Sequence, residues 1–207
     1  MRVKELKRDK KHCFKVTFDN GRTEFIDVDV VAEYGIKSDM ELDEEWFMQV
    51  VLNHSDFVRA KERALWYLDR SDYSERTLFE KLCRAGFPEK SCSEVMAFLR
   101  EYGMVDDRRY AMRLSERYSE ANVSKREAYQ KLIMKGIPSA LAREVTAETE
   151  FDEGAQIRAL IEKKYRNKLS DRASVEKVYA ALIRKGFSFG AVRDALKQYH
   201  EEMQYID

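Results

Sequence analysis

Proline and glycine are scarce: 207 residues hold two Pro and eight Gly. So few turn formers exclude an all-β fold, and the ample apolar content excludes a disordered chain. Histidine is scarcer still, with His12, His54 and His200 far apart in sequence. The three cysteines, Cys13, Cys83 and Cys92, form no CxxC pair and have no nearby His cluster, which argues against a zinc site. Their odd number and the lack of a leader-like start lead us to expect a reducing cytoplasm. No apolar run approaches the roughly 20 residues of a membrane span. Net charge is also missing, with 38 basic and 38 acidic side chains. Residues 1–55 carry nine basic against twelve acidic side chains and the rest 29 against 26, a split too mild to mark a nucleic-acid binder by itself. There is no phosphate-binding Gly-rich loop, no HExxH and no GxSxG. Neither catalysis nor a cofactor is expected.

What the chain does have is a repeat. SERTLFEKLCRAGF (Ser74 to Phe87) returns as SKREAYQKLIMKGI (Ser124 to Ile137) and as SVEKVYAALIRKGF (Ser174 to Phe187), with a step of 50 residues and no gap. Each copy reads as one helix. A Ser supplies the N-cap. Apolar residues follow at helical spacing: Leu78, Phe79, Leu82; Ala128, Tyr129, Leu132, Ile133; Val178, Tyr179, Leu182, Ile183. Gly86, Gly136 and Gly186 are C′ stops, and Arg84, Lys135 and Lys185 suit the last turn. Val95, Val145 and Ala195 correspond in a further helix of each unit.

In chain order, residues 1–11 are a polar, basic start. Residues 12–28 read as a β-hairpin around Asp19-Asn20-Gly21, with Phe14, Val16 and Phe18 on one face. Val28 to Tyr34 and Asp43 to His54 cover that face, through Trp46, Phe47, Val50 and Val51. Glu41, Asp43, Glu44 and Glu45 are read as helix-start acids, not metal ligands. From residue 57 an apolar stripe of Ala60, Ala64, Trp66, Tyr67 and Leu68 opens the first repeat. Asp106-Asp107 caps the second, and Phe151-Asp152 opens the third. The expectation is a mainly α chain: three tandem three-helix repeats in an elongated array that can curve, preceded by a small N-terminal β-hairpin plus helix domain. The boundaries are 1–55, 56–105, 106–151 and 152–207.

The stretches ALWYLDRSDYSERTLFEKLCRAGF, FLREYGMVDDRRYA and KLIMKGI resemble the RecX regulatory proteins of bacteria. The resemblance covers about residues 60–200. Asp106, Asp107, Arg108, Tyr110 and Ala111 fall on the family's signature run, and Lys135, Gly136 and Ile137 on the close of its second unit. It implies helical-repeat proteins that bind the RecA filament on single-stranded DNA and restrain its activities in recombination, DNA repair and the SOS response, without being enzymes. A monomer with no membrane partner is expected, with single- or double-stranded DNA close by. The alternative is a helical-repeat protein that binds nucleic acid directly. Candidate contacts are the basic side chains Arg70, Arg76, Lys81 and Arg84; Arg108, Arg109, Arg113, Arg117, Lys125 and Arg126; and the cluster Lys163, Lys164, Arg166 and Lys168. Tyr165 is read as core.

Overall fold

The computed structural model describes residues 1–9, 12–166, 169 and 171–204, with side chains described as far as Tyr199 except that of Arg172. The chain forms two compact units, Met1–Val105 and Asp106–Asp207.

Unit one opens with three strands, β1 (Val3–Arg8), β2 (Cys13–Phe18) and β3 (Thr23–Asp27), in an antiparallel sheet of order β1-β2-β3. The expected hairpin is β2–β3, and β1 is an addition to it. The register shifts between Val3 and Glu5. That bulge brings Val3 and Leu6, three residues apart, to the same apolar cluster. Alternation was therefore unreadable in VKELKR, and its charged residues suit an exposed edge. Segment 39–42 runs beside the start of β1, where Val3 donates to the Met40 carbonyl and Asp39 to the Val3 carbonyl.

Helix α1 (Val28–Glu33), the short helix α2 (Glu44–Trp46) and a π-helical stretch (Phe47–Leu52) cover the sheet. Phe47 meets Phe18 edge-on, with ring centroids 4.9 Å apart. Asp43 caps α2 through the Trp46 N–H at 2.7 Å, so one of the four acids is spent on the helix end. Val50 departs from expectation: it is 39% exposed while Phe47 and Val51 are buried. The widened π-turn changes which residues share a face. The π stretch continues directly into α3 (Asn53–Leu68), so the first repeat helix starts earlier than residue 57. Ser55, buried in α3, accepts from the Asp27 N–H at 2.8 Å.

The repeats follow as α3, α4 (Glu75–Arg84) and α5 (Glu89–Glu101); α6 (Asp107–Glu120), α7 (Lys125–Met134) and α8 (Ser139–Glu148); α9 (Glu153–Leu160) with a π-helical extension (Ile161–Tyr165), α10 (Arg172–Arg184) and α11 (Phe189–Gln204). Each repeat encloses its own small core. Leu78, Leu82, Val95 and Leu99 centre the first, Leu132, Ile137 and Val145 the second, and Ile157, Ile161, Leu182 and Val192 the third. Cys92 is buried in the first core, where desolvation and then the Cys83 thiol push its own thiol up to about 12.

Gly86, Gly136 and Gly186 all take left-handed backbone, at φ 94, 85 and 91°. In each case the next residue donates back to the helix, Phe87 to Leu82, Ile137 to Leu132 and Phe187 to Leu182, at 3.1–3.4 Å. This Schellman closure seats the large apolar residue on the helix end. Ser74 and Ser124 cap α4 and α7. Ser174 does not cap α10: the helix starts earlier, Asp171 accepts from the Ser174 N–H at 2.9 Å, and the Ser174 hydroxyl donates to the same carboxylate. A carboxylate three residues upstream outcompetes the hydroxyl for the helix start. Lys135 and Lys185 stand at the C-caps, one step past the last turn. Ile133, placed inward by spacing, is exposed.

Within unit two the second and third repeats are joined by polar contacts. The Ser124 hydroxyl donates to the Lys185 carbonyl at 2.6 Å, and the Gln156 amide to the Ser119 carbonyl at 2.9 Å. A Cβ on Gly186 would lie 2.8 Å from Ser124 Oγ and 3.0 Å from Arg126 Cβ, whereas one on Gly86 meets nothing within 4 Å. Both Gly→Ala changes carry the left-handed penalty of about 1–2 kcal/mol. Gly186→Ala should cost at least about 1 kcal/mol more than Gly86→Ala, because it also pushes Ser124 away from its carbonyl. Urea denaturation of the two variants checks this, and equal losses would contradict it.

Candidate functional site

The outward charge of the repeats is arranged unevenly, and the candidate cations fall into distinct environments. In α4, Arg76 and Arg84 both reach Glu80, at 2.9 and 3.2 Å. These bonds, that of Arg76 foremost, hold the Glu80 carboxyl below its ordinary range. In the second repeat, Arg108 spans α6 to α8, contacting Glu144 and Glu148 at 2.8 Å each. Glu144 first and then Glu148 hold its proton more firmly than usual. Arg108 thus pins one helix of its repeat to another. Asp106 caps α6 by accepting from the Arg109 N–H at 2.9 Å. Arg109, Arg113 and Arg117 lie on exposed turns of the same helix.

Arg70 and Lys81 belong to an aromatic cluster that spacing did not reveal. Trp66, expected inside, is 47% exposed. The Arg70 guanidinium lies 3.7 Å from the centre of its ring, and Arg63 5.7 Å from it. Lys81 sits 4.6 Å from the Tyr67 ring centre and 4.9 Å from that of Tyr73. Each such contact contributes about 0.5–1 kcal/mol at an exposed site. The signal in the sequence was the i−3 and i+4 placement of Arg63 and Arg70 about Trp66, which puts two cations on the ring's flanks.

Lys163 and Lys164 are exposed on the π-helical extension of α9, beside Arg166, whose partner is Glu162 at 3.6 Å. Tyr165 packs against the core of the third repeat, as expected. Lys168 lies outside the described residues. Lys125 and Arg126 open α7 and are exposed. Arg126 borders two adjoining open pockets, one with Arg184 and Lys185 and the other with Lys125 and Arg143. Among the described residues no group of three His, Cys, Asp or Glu side chains is placed to hold a metal ion, and no helix is long and apolar enough to cross a membrane.

The repeat geometry meets its counterpart in known proteins. The model of the RecX first three-helix domain matches residues 60–99, and that of the RecX third three-helix domain matches residues 152–196. The chain belongs to the RecX family. Among its relatives named "Regulatory protein RecX", that of Clostridium acetobutylicum is 26% identical over 208 residues, covering 96% of this chain and 95% of the relative. That of Streptococcus equi subsp. equi is 24% identical over 216 residues, covering 100% and 81%. A Streptococcus pneumoniae relative is 27% identical over 205 residues, covering 98% and 79%. Two solved structures share the fold. A crystal structure of regulatory protein RecX aligns with TM-score 0.67 at 24% identity over 95% of this chain and 98% of that one. RecX from Lactobacillus salivarius aligns with TM-score 0.63 at 21% identity, over 70% and 97%. The RecX relatives thus extend over the N-terminal sheet as well as the repeats.

Trp66 is a surface group held by cations, so Trp66→Ala should cost less than about 1 kcal/mol. Leu78→Ala, in the core of the same repeat, should cost about 2–5 kcal/mol. Urea midpoints separate the two, and a Trp66 loss matching that of Leu78 would place the indole in the core.

Proposed function

We propose that this protein binds the RecA filament on single-stranded DNA and restrains filament extension, ATP hydrolysis and strand exchange, as a non-enzymatic regulator acting in the cytoplasm during recombination and repair. The match to RecX domain models, together with relatives named as regulatory proteins along the whole chain, carries the reading. The physical features agree with it. Three similar modules each present a charged outer surface over a small private core. A partner that repeats along its length suits such a surface better than a small substrate does.

In this reading the segment Lys163, Lys164, Arg166 and Lys168 meets an acidic or phosphate surface of the filament. The other candidate cations divide by their partners. Arg76, Arg84 and Arg108 serve internal ion pairs, which favours a structural part for them. Direct nucleic-acid binding is the alternative, and a salt series separates the two. Binding through phosphates weakens steeply as salt rises, whereas a mainly protein contact depends on RecA and stays tight.

Added below equimolar amounts to RecA on single-stranded DNA, this protein should lower the rate of ATP hydrolysis. Hydrolysis unchanged at equimolar protein would overturn the proposal. Reversing charge at Lys163, Lys164 and Lys168 together should weaken that inhibition while thermal unfolding stays as in the parent, and full inhibition by the variant would remove this segment from the contact.

A further inference from the structure

Both edges of the sheet in unit one are partly covered by the rest of the chain, and one stretch is left bare. In β2 the even residues face β3 and the odd ones face β1: Phe18 donates to the Arg22 carbonyl, whereas Asp9 donates to the Cys13 carbonyl and Asp19 to that of Arg2. Alternate residues of β1 and β3 therefore aim their N–H and C=O groups away from β2. On β3 these include Phe25 and Asp27, and helix α3 lies alongside them. There Ser55 accepts from the Asp27 N–H at 2.8 Å, and Arg59 donates to the Phe25 carbonyl at 3.3 Å. On β1 the outward residues are Val3, Leu6 and Arg8, the step from 3 to 6 coming from the bulge. Val3 is closed off by segment 39–42, through the Asp39 N–H and the Met40 carbonyl. Leu6 and Arg8 are not. Among the described residues no group pairs with their outward N–H or C=O.

The side chains around this stretch are mostly basic. Lys4, Lys7 and Arg8 are exposed on β1. Lys7 stands directly opposite Lys15 of β2, in the register of the ladder. Like charges so placed destabilise a strand pair, and neither lysine has an ion pair among the described residues. Against these cations stand Glu5 within β1 and Asp9 just beyond it. Lysines on an edge strand guard it against pairing with other chains. That guard is selective. It repels a strand of like charge, β1 of a second copy included, and attracts a strand of opposite charge.

We propose that an extended segment of a protein partner, rich in Asp and Glu, adds to this sheet as a fourth strand beside Leu6 to Arg8. The outward N–H and C=O groups of those two residues supply main-chain hydrogen bonds to it. Lys4, Lys7, Arg8 and Lys15 select acidic side chains along it. A nucleic acid carries no row of backbone amides to meet the edge, and Glu5 and Asp9 repel its phosphates. The bare stretch is short, so the added strand is short as well. The edge takes such a strand whether or not the repeats contact RecA.

The probe is a short labelled peptide of alternating Glu and Val, titrated with the full chain and followed by fluorescence anisotropy and by amide hydrogen exchange. Binding should slow exchange at the Leu6 and Arg8 amides by about tenfold or more, and leave the Glu5 and Lys7 amides, already paired with β2, nearly unchanged. The same peptide with its backbone amides N-methylated, and a Lys-Val peptide of equal length, should bind at least about tenfold more weakly. Arg8→Pro removes an outward donor while sparing the ladder to β2, and should weaken binding about tenfold or more. Arg8→Gln removes the charge alone and should weaken it about threefold. Thermal unfolding matching the parent confirms that each variant is folded. If Arg8→Pro unfolds, the exchange pattern of the parent decides. Absent binding by the parent, equal binding of the methylated peptide, or protection elsewhere than at Leu6 and Arg8 would overturn the proposal. So would displacement of the peptide by a single-stranded oligonucleotide of equal charge, which would make the edge a nucleic-acid surface. So too would a concentration-dependent dimer that the peptide dissociates, which would make a second copy the occupant.

Discussion

Each repeat depends on a glycine that lets the chain reverse at the end of its middle helix. Without a side chain, Gly86, Gly136 and Gly186 adopt a left-handed turn that other residues reach only with strain. The turn directs the next N–H back into the helix and lays Phe87, Ile137 or Phe187 against its end. The third helix then starts within a few residues, so its apolar face lands on the helix it has just left. A repeat of three short helices has little interior, and this closure lets it bury Leu82, Leu132 or Leu182 completely.

The same device does further work at Gly186. There the absent side chain also makes room for Ser124, whose hydroxyl reaches the Lys185 carbonyl. One helix end thereby packs against a neighbouring helix start, and cations from both border adjoining open pockets. Elsewhere charge is internalised into the architecture. Arg108 spends its guanidinium on Glu144 and Glu148, and Arg100 spends its own on Glu75. Surface ion pairs contribute little each, about 0–1 kcal/mol, so their meaning lies less in stability than in what they remove from the surface. The cations left unpaired are the ones free to meet another molecule.

The repeats were legible because helical spacing, a glycine stop and a 50-residue step are local properties written three times. The cap at Asp106 and the packed Tyr165 followed from the same local rules. Errors arose where a local rule was bent by something wider. A bulge hid β1 by breaking its alternation, and a π-turn rotated Val50 outward. Asp171, outside the repeated segment, took the cap from Ser174. Trp66 read as core because size and phase suggest burial, yet two arginines stabilise it in the open.

By itself the sequence determined the helices, their stops, the core faces and the family, since these depend on neighbours within a few turns or on the order of motifs. Only the tertiary structure decided which cations are neutralised and which stand together. Lys125, Arg143 and Lys185 are as far as 60 residues apart, and pairing is a matter of distance in space. A charge count of zero is the same whether or not each cation has its carboxylate, and Coulomb's law acts on separations that composition does not contain.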